Sequence, residues 1–126
     1  MSTVNERADW DTYFLSIAEK VASRATCPRA SVGAVIVKDK RILTTGYNGA
    51  LAGEPHCTEE VGCIVEHGHC ARAVHAEINA VAQAARFGIA IEGATAYVWD
   101  SLERGSACPE CLKALRAAGV VRIVAN

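Results

Sequence analysis

Apolar residues recur at three-and-four spacing near the start of the chain. Trp10, Tyr13, Phe14, Ile17, Ala18 and Val21 would share one face of a helix from Trp10 to about Ala25, with Asp9 placed to cap it. The pattern then changes. SVGAVIVK (Ser31 to Lys38) is compact and β-branched, and Asp39-Lys40 turns it back into RILTTGYN, Arg41 to Asn48. That predicts a hairpin. Helical spacing returns from about Val74 to Phe87 and stops at Gly88, a residue suited to the left-handed position after a helix. ATAYVW (Ala94 to Trp99) predicts a strand, and Asp100 to Ala107 a polar loop. Pro109 suits the first turn of a third helix ending at Gly119, and VVRIVA (Val120 to Ala125) predicts a closing strand.

Two strand–helix–strand passages imply a parallel pair with right-handed crossovers, next to the antiparallel hairpin. The expected fold class is α/β: a three-layer α/β/α sandwich with a mixed central sheet of about four strands. A chain of 126 residues suits one domain over 1–126, enough to bury about two-thirds of its unfolded surface. One stretch resists this reading. Gly49 to Ala71 carries turn residues and no clean period, and a segment that long in a small domain is usually functional or pinned by something.

Composition narrows the function classes. The formal net charge is −1, so the basic surplus of a dedicated nucleic-acid binder is missing and no nucleic-acid partner is expected. No run approaches the 18 or so apolar residues of a membrane span, and MSTVNERADWD lacks the basic-then-apolar layout of a signal peptide. A cytoplasmic, reducing setting follows as the expectation. There, six cysteines read better as metal ligands than as disulfides.

The chemistry gathers in two places. VHAEINAV puts His75 and Glu77 at the mouth of an apolar helix, where core-forming side chains would otherwise stand. Cys108-Pro109-Glu110-Cys111 puts two thiols at the start of another helix, whose positive dipole end favours thiolate, the zinc-binding form. A redox dithiol shares that spacing. Two helix starts brought together over a sheet would supply one His and two Cys, leaving the fourth tetrahedral position open for water. Glu77 would then serve as a proton shuttle beside that water. Side chains two apart on a regular helix diverge, so the His75–Glu77 pair works only where the backbone is not yet helical. The bland alternative is a buried histidine with unrelated cysteines. A closed structural zinc module is a third reading, but it would want a fourth protein ligand rather than a nearby acid.

His75-Ala76-Glu77 with Cys108-x-x-Cys111 resembles the signature of the zinc-dependent cytidine deaminase superfamily. SVGAVIV, GYNGA (Gly46 to Ala50) and HAEINA resemble its deoxycytidylate deaminase branch, which includes late-competence proteins of bacteria. The resemblance runs from about Cys27 to Val124. It implies hydrolytic deamination of a cytosine nucleotide, dCMP to dUMP and ammonia, with a catalytic zinc on His75, Cys108 and Cys111. Glu77 would carry protons from water to ring N3 and to the leaving ammonia. Asn48 would bond the sugar hydroxyl, the backbone around Ala76 and Ser106 the pyrimidine edge, and Arg29 is the nearest candidate for a phosphate.

The resemblance also implies a second, structural zinc on Cys27 and Cys57, completed from among Cys63, Cys70, His56 and His69; reduced, partly buried cysteines are the alternative. Relatives are oligomeric, so a homo-oligomer, dimer or higher, is expected. Two departures stand out. Ala107 occupies the place of a family proline, and the loop Asp100 to Ala107 is about five residues longer than the family's. Rival readings are a deaminase of another nucleoside or base, or of tRNA adenosine, which would want a basic groove, or a non-catalytic zinc-binding module.

Overall fold

The computed structural model describes residues 7–26, 30–50, 65–66, 69–70, 73–105 and 108–126, with the backbone alone at 50, 65, 66, 69, 70 and 73. Its centre is β1 (Val32–Lys38), buried along all but its last residue. The turn at Asp39 and Lys40, both with positive φ (51° and 61°), returns the chain into β2 (Arg41–Tyr47). Two positive values make this the primed turn whose twist matches a tight hairpin. A register shift between Ile36 and Val37 bends the ladder.

On its other side β1 pairs antiparallel with β7 (Thr95–Asp100), which pairs in parallel with β8 (Arg122–Ala125). The order is β2-β1-β7-β8, the mixed four-stranded sheet expected. β2 and β7 both run antiparallel to β1, so they are parallel to one another, and the chain between them crosses over β1. Within Gly49 to Ala71 and just beyond it, four two-residue strands appear: β3 (Gly49–Ala50) with β6 (Ala73–Val74), and β4 (Val65–Glu66) with β5 (His69–Cys70). Ladders this short leave no two-residue period to read, which is why the sequence shows none.

The helices form the outer layers. α1 (Trp10–Ala22) starts at Asp9, whose carboxylate accepts the Thr12 N–H at 2.9 Å. It ends three residues before the expected Ala25. Ser23, Arg24 and Ala25 bond three residues back rather than four, so the last turn tightens and runs out. α2 (Ala76–Phe87) closes on Gly88 at φ 67°, and α3 (Pro109–Ala117) opens with Pro109 in its first turn. Both match the expected stop and start. β8 begins two residues later than Val120, because Val120 N–H still bonds back to Leu115 O while its side chain plugs the core.

Alternation along β1 divides the core. Val35 and Val37 meet Phe14, Ala18 and Tyr97 under α1. Val32, Ala34 and Ile36 meet Ala76, Ala80, Ala84, Ala96, Val98 and Leu115 under α2 and α3. Small residues let these helices sit close. A Cβ on Gly33 would lie 2.0 Å from the Ala18 carbonyl, and one on Gly46 2.4 Å from the Ala76 carbonyl. Gly46 therefore fixes how near the first turn of α2 comes to β2.

Candidate active site

His75 stands just outside α2 as its N-cap, with extended backbone (φ −65°, ψ 149°) and no side-chain cap bond. Glu77 is two residues on, inside the first turn and only 4 % exposed. The non-helical His75 backbone is the condition under which two side chains so spaced can face one place. The start of α2 is held from below at several points. Thr44 Oγ1 donates to Ala80 O at 3.1 Å, Asn79 Nδ2 donates to Tyr47 O at 2.8 Å, and Asn79 N–H closes the first turn on His75 O.

α3 begins in the same way. Cys108 is its N-cap, and the sulfur accepts the Cys111 N–H at 3.4 Å. Cys111, one turn in, is 1 % exposed. The two helix starts converge: His75 Nδ1 lies 3.2 Å from Cys111 Sγ and 3.3 Å from Cys108 Sγ, and the two sulfurs are 3.2 Å apart. Among the described residues these three form the group able to hold a metal, with ligand atoms all within 4.8 Å.

The donor set fits zinc. Zn–S of about 2.3 Å and Zn–N of about 2.0 Å demand ligand–ligand edges of about 3.5–3.8 Å, a few tenths of an ångström wider than those seen. One nitrogen and two sulfurs leave one tetrahedral position without a protein ligand. Electrostatics agree. Burial, then the Glu77 carboxylate, then the Cys108 sulfur push the Cys111 thiol well above its ordinary range. Bare protein thus disfavours the thiolate, whereas a divalent cation deprotonates a thiol that coordinates it. The Glu77 charge is therefore felt at the Cys111 sulfur.

Other expected site residues have different surroundings. The Asn48 side chain is engaged with backbone: Oδ1 accepts Val32 N–H at 2.8 Å and Nδ2 donates to Ala30 O at 2.8 Å. One N–H and one lone pair remain for a ligand. Ala76 is fully buried in the first turn of α2. Ser106 and Arg29 lie outside the described residues, as do Cys27, His56, Cys57 and Cys63; His69 and Cys70 are described only as the backbone of β5. The loop before Cys108 adds a pair that sequence reading passed over. Asp100, at the end of β7, accepts Arg104 Nε at 2.5 Å and Leu102 N–H at 2.9 Å. Burial raises the Asp100 carboxyl, but the Arg104 and Leu102 hydrogen bonds outweigh it and hold the group below the usual carboxylate range. The only signal in sequence was the four-residue spacing of opposite charges, which ordinarily reads as helix surface.

Comparison with known proteins agrees with this geometry. The chain is 45% identical over 115 residues to ComE operon protein 2 of Bacillus subtilis (strain 168), covering 91% of this chain and 58% of that protein. It is 40% identical over 128 residues to the deoxycytidylate deaminase of Mycobacterium phage D29, covering 94% of each. Its fold matches the crystal structure of dCMP deaminase from the cyanophage S-TIM5 in complex with dCMP and dUMP, with a TM-score of 0.75, 28% identity, and coverage of 94% of this chain and 82% of that one. Residues 8–126 match the cytidine and deoxycytidylate deaminase zinc-binding region, and the chain belongs to that family.

Proposed function

We infer that this chain, as a single domain over 1–126, is a zinc-dependent hydrolase that deaminates a cytosine nucleotide, dCMP to dUMP and ammonia. The observation that carries the reading is the convergence of His75 Nδ1, Cys108 Sγ and Cys111 Sγ within 4.8 Å, with a buried glutamate two residues after His75 in the first turn of α2. His75, Cys108 and Cys111 would hold a zinc ion, and that ion would supply an acidified water as the attacking group. Glu77 accepts the proton of that attacking water, delivers one to ring N3, and passes one to the departing ammonia. Its burial suits this work, since a carboxylate shielded from solvent transfers protons to the substrate rather than to bulk water. Backbone groups around Ala76 and Ser106 hold the pyrimidine edge, and the remaining capacity of the Asn48 amide meets the sugar. Support for a nucleotide comes from the relatives named deoxycytidylate deaminase in the mycobacteriophage and the cyanophage.

The reading extends beyond the catalytic centre. Cys27 and Cys57, with Cys63 or Cys70 and with His56 or His69 as alternates, hold a second zinc that pins the segment between β2 and α2. Its support is cysteine and histidine density: the chain carries six cysteines and four histidines, more than one three-ligand site uses. The protein works as a homo-oligomer, in the cytoplasm, where thiols stay reduced. Among the described residues no helix is long and apolar enough to cross a membrane.

The test is ammonia release by the zinc-loaded protein over dCMP, CMP, deoxycytidine, cytosine and an adenosine-containing tRNA. The expected profile is led by dCMP. Activity on tRNA adenosine with none on any cytosine compound overturns the reading.

A further inference from the structure

β2 is an edge strand, so part of its backbone points off the sheet. At its end, the peptide between Tyr47 and Asn48 is held from both sides. Its N–H donates to Val32 O at 3.2 Å, and its carbonyl, pointing the opposite way across a trans peptide, accepts Asn79 Nδ2 at 2.8 Å. The rest of Asn48 is engaged as well. Oδ1 accepts Val32 N–H and Nδ2 donates to Ala30 O, both at 2.8 Å, and the Asn48 carbonyl accepts Thr26 N–H at 3.1 Å. On the helix side, Asn79 is the fourth residue of α2, and its own N–H bonds His75 O at 2.9 Å. One residue thus joins the first turn of α2 to the strand end that carries Asn48.

Solvation does not demand this bond. Tyr47 is 39% exposed, and water can pair an edge carbonyl as well as an amide can. Helix propensity does not demand it either: asparagine is among the weaker helix formers, and alanine or leucine would suit the position better. What the bond adds is control of distance. Among the described residues two hydrogen bonds tie α2 to β2. Thr44 Oγ1 donates to Ala80 O at 3.1 Å and fixes the helix against the buried middle of the strand. Gly46 sets how close the helix comes. Only the Asn79 bond reaches the Tyr47–Asn48 peptide, and it starts from the helix turn that follows His75 and contains Glu77.

We propose that Asn79 is a positioning residue: it fixes the spacing between the α2 turn that carries Glu77 and the strand end that carries Asn48, and so holds the reacting base in register with the sugar hydroxyl. This rests on the cytosine-nucleotide reading of the same site. Asn79 touches neither substrate nor metal. It acts by making the two ends of the site one rigid unit, so that a sugar seated at Asn48 delivers its base to the group formed by His75, Cys108 and Cys111. Misplacement of a reacting group by about 1 Å is enough to cost about 100-fold in rate.

The sugar of dCMP has one free hydroxyl, at 3′, so 2′,3′-dideoxycytidine monophosphate lacks the group that Asn48 would meet. Zinc-loaded wild type should favour dCMP over this analogue in kcat/KM by about tenfold, the scale of one good hydrogen bond. In Asn79→Ala both substrates should react more slowly and dCMP should lose more, bringing the ratio to within about threefold of one. A fold that is merely loosened slows both alike and leaves the ratio where it was. Asn79→Leu, close in volume and a better helix former, gives the same reading where the alanine variant yields too little folded protein. Asn79→Gln, which keeps the amide on a longer arm, should recover part of the ratio. Thr44→Val removes the tether that does not reach Asn48, and should lower the melting temperature with the ratio unchanged. Zinc content should match wild type in all four. A wild type that favours dCMP, with the same ratio in Asn79→Ala and Asn79→Leu or an equal fall in Thr44→Val, overturns the role of Asn79 and leaves the proposed function standing. A wild type that deaminates dCMP and the analogue equally well overturns it too, because there is then no sugar contact to keep in register. A wild type that turns over no cytosine nucleotide removes both.

Discussion

Under α1, Asp11 accepts Tyr97 Oη at 2.7 Å and both terminal nitrogens of Arg122, at 3.0 and 2.6 Å, while the rings of Trp10, Tyr13, Phe14 and Tyr97 pack at 4.9–5.8 Å. Under α2 and α3, on the other face of the same sheet, the helices rest on alanines and on Gly46, and the polar groups include a buried glutamate, a histidine and two sulfurs. The first face fills its volume and pairs its charges. The second gives up side-chain volume so that two helix starts can meet, and it leaves a thiol pushed away from the form in which it binds metal. Contacts among its own side chains explain the first arrangement. The second makes sense once a cation is counted among its parts.

Removing pieces of the α2–α3 face should therefore separate chemistry from folding. His75→Ala should lose the catalytic zinc and, with it, deamination beyond detection. Glu77→Ala should keep the zinc while turnover falls about 10²- to 10⁴-fold, the range of a general acid–base group. Its stability should be equal or slightly higher, because a buried carboxylate carries a desolvation cost. Metal analysis, melting temperature and ammonia release on the same preparations check all three. Turnover above about a tenth of wild type in Glu77→Ala would falsify its catalytic role. Loss of metal in that variant would make Glu77 a fourth ligand of a closed site.

The α1 face should answer in the opposite way. Phe14 is 2% exposed and its ring centroid lies 5.2 Å from that of Tyr97. Phe14→Ala removes a ring that cannot be replaced by collapse of a β-branched sheet surface, and should cost about 3–5 kcal/mol of stability. For a domain stable by about 5–15 kcal/mol that is a large fraction. Denaturant midpoint should drop while kcat per folded molecule and zinc content stay at wild-type values. A matching loss of turnover would show that the two faces are not separable.

Much of this contrast is legible in the chain itself. The three-and-four spacing from Trp10 to Val21, the β-branched block before Asp39-Lys40, and the glycine after Phe87 each specify their element by local physics. His75, Glu77, Cys108 and Cys111 are legible for a different reason: four costly residue types agree on one mechanism. What sequence hides is tertiary pairing. Nothing in GYNGA says that the Asn48 amide also clamps Ala30 and Val32. Nothing in DSLERGSA says that Asp100 is buried at a strand end and holds Arg104. The early end of α1 is hidden too, because the switch from four-residue to three-residue bonding depends on where the following chain must go.

The smallest effect sharpens the comparison by pH. Arg122, then Tyr97, hold the Asp11 carboxyl below its usual range through hydrogen bonds to the charged form. A carboxyl so lowered contributes stability that is present above the unfolded carboxylate value of about 3.9, and that contribution is lost as pH falls through the lowered folded value. Asp11→Asn should thus melt slightly below wild type at neutral pH, and the gap should close in acid. Added salt should narrow it as well, since the pair is open to solvent: the side chains of Arg122 and Asp11 are 53% and 39% exposed. Deamination at neutral pH should not follow the melting gap, because Asp11 lies across the sheet from Glu77 and the sulfurs. Melting curves of the two proteins between neutral and acid pH, at low and high salt, decide it. A gap that widens on acidification would mean that the carboxylate is not what stabilises this corner, and that the ring of Tyr97 holds α1 to the sheet without it.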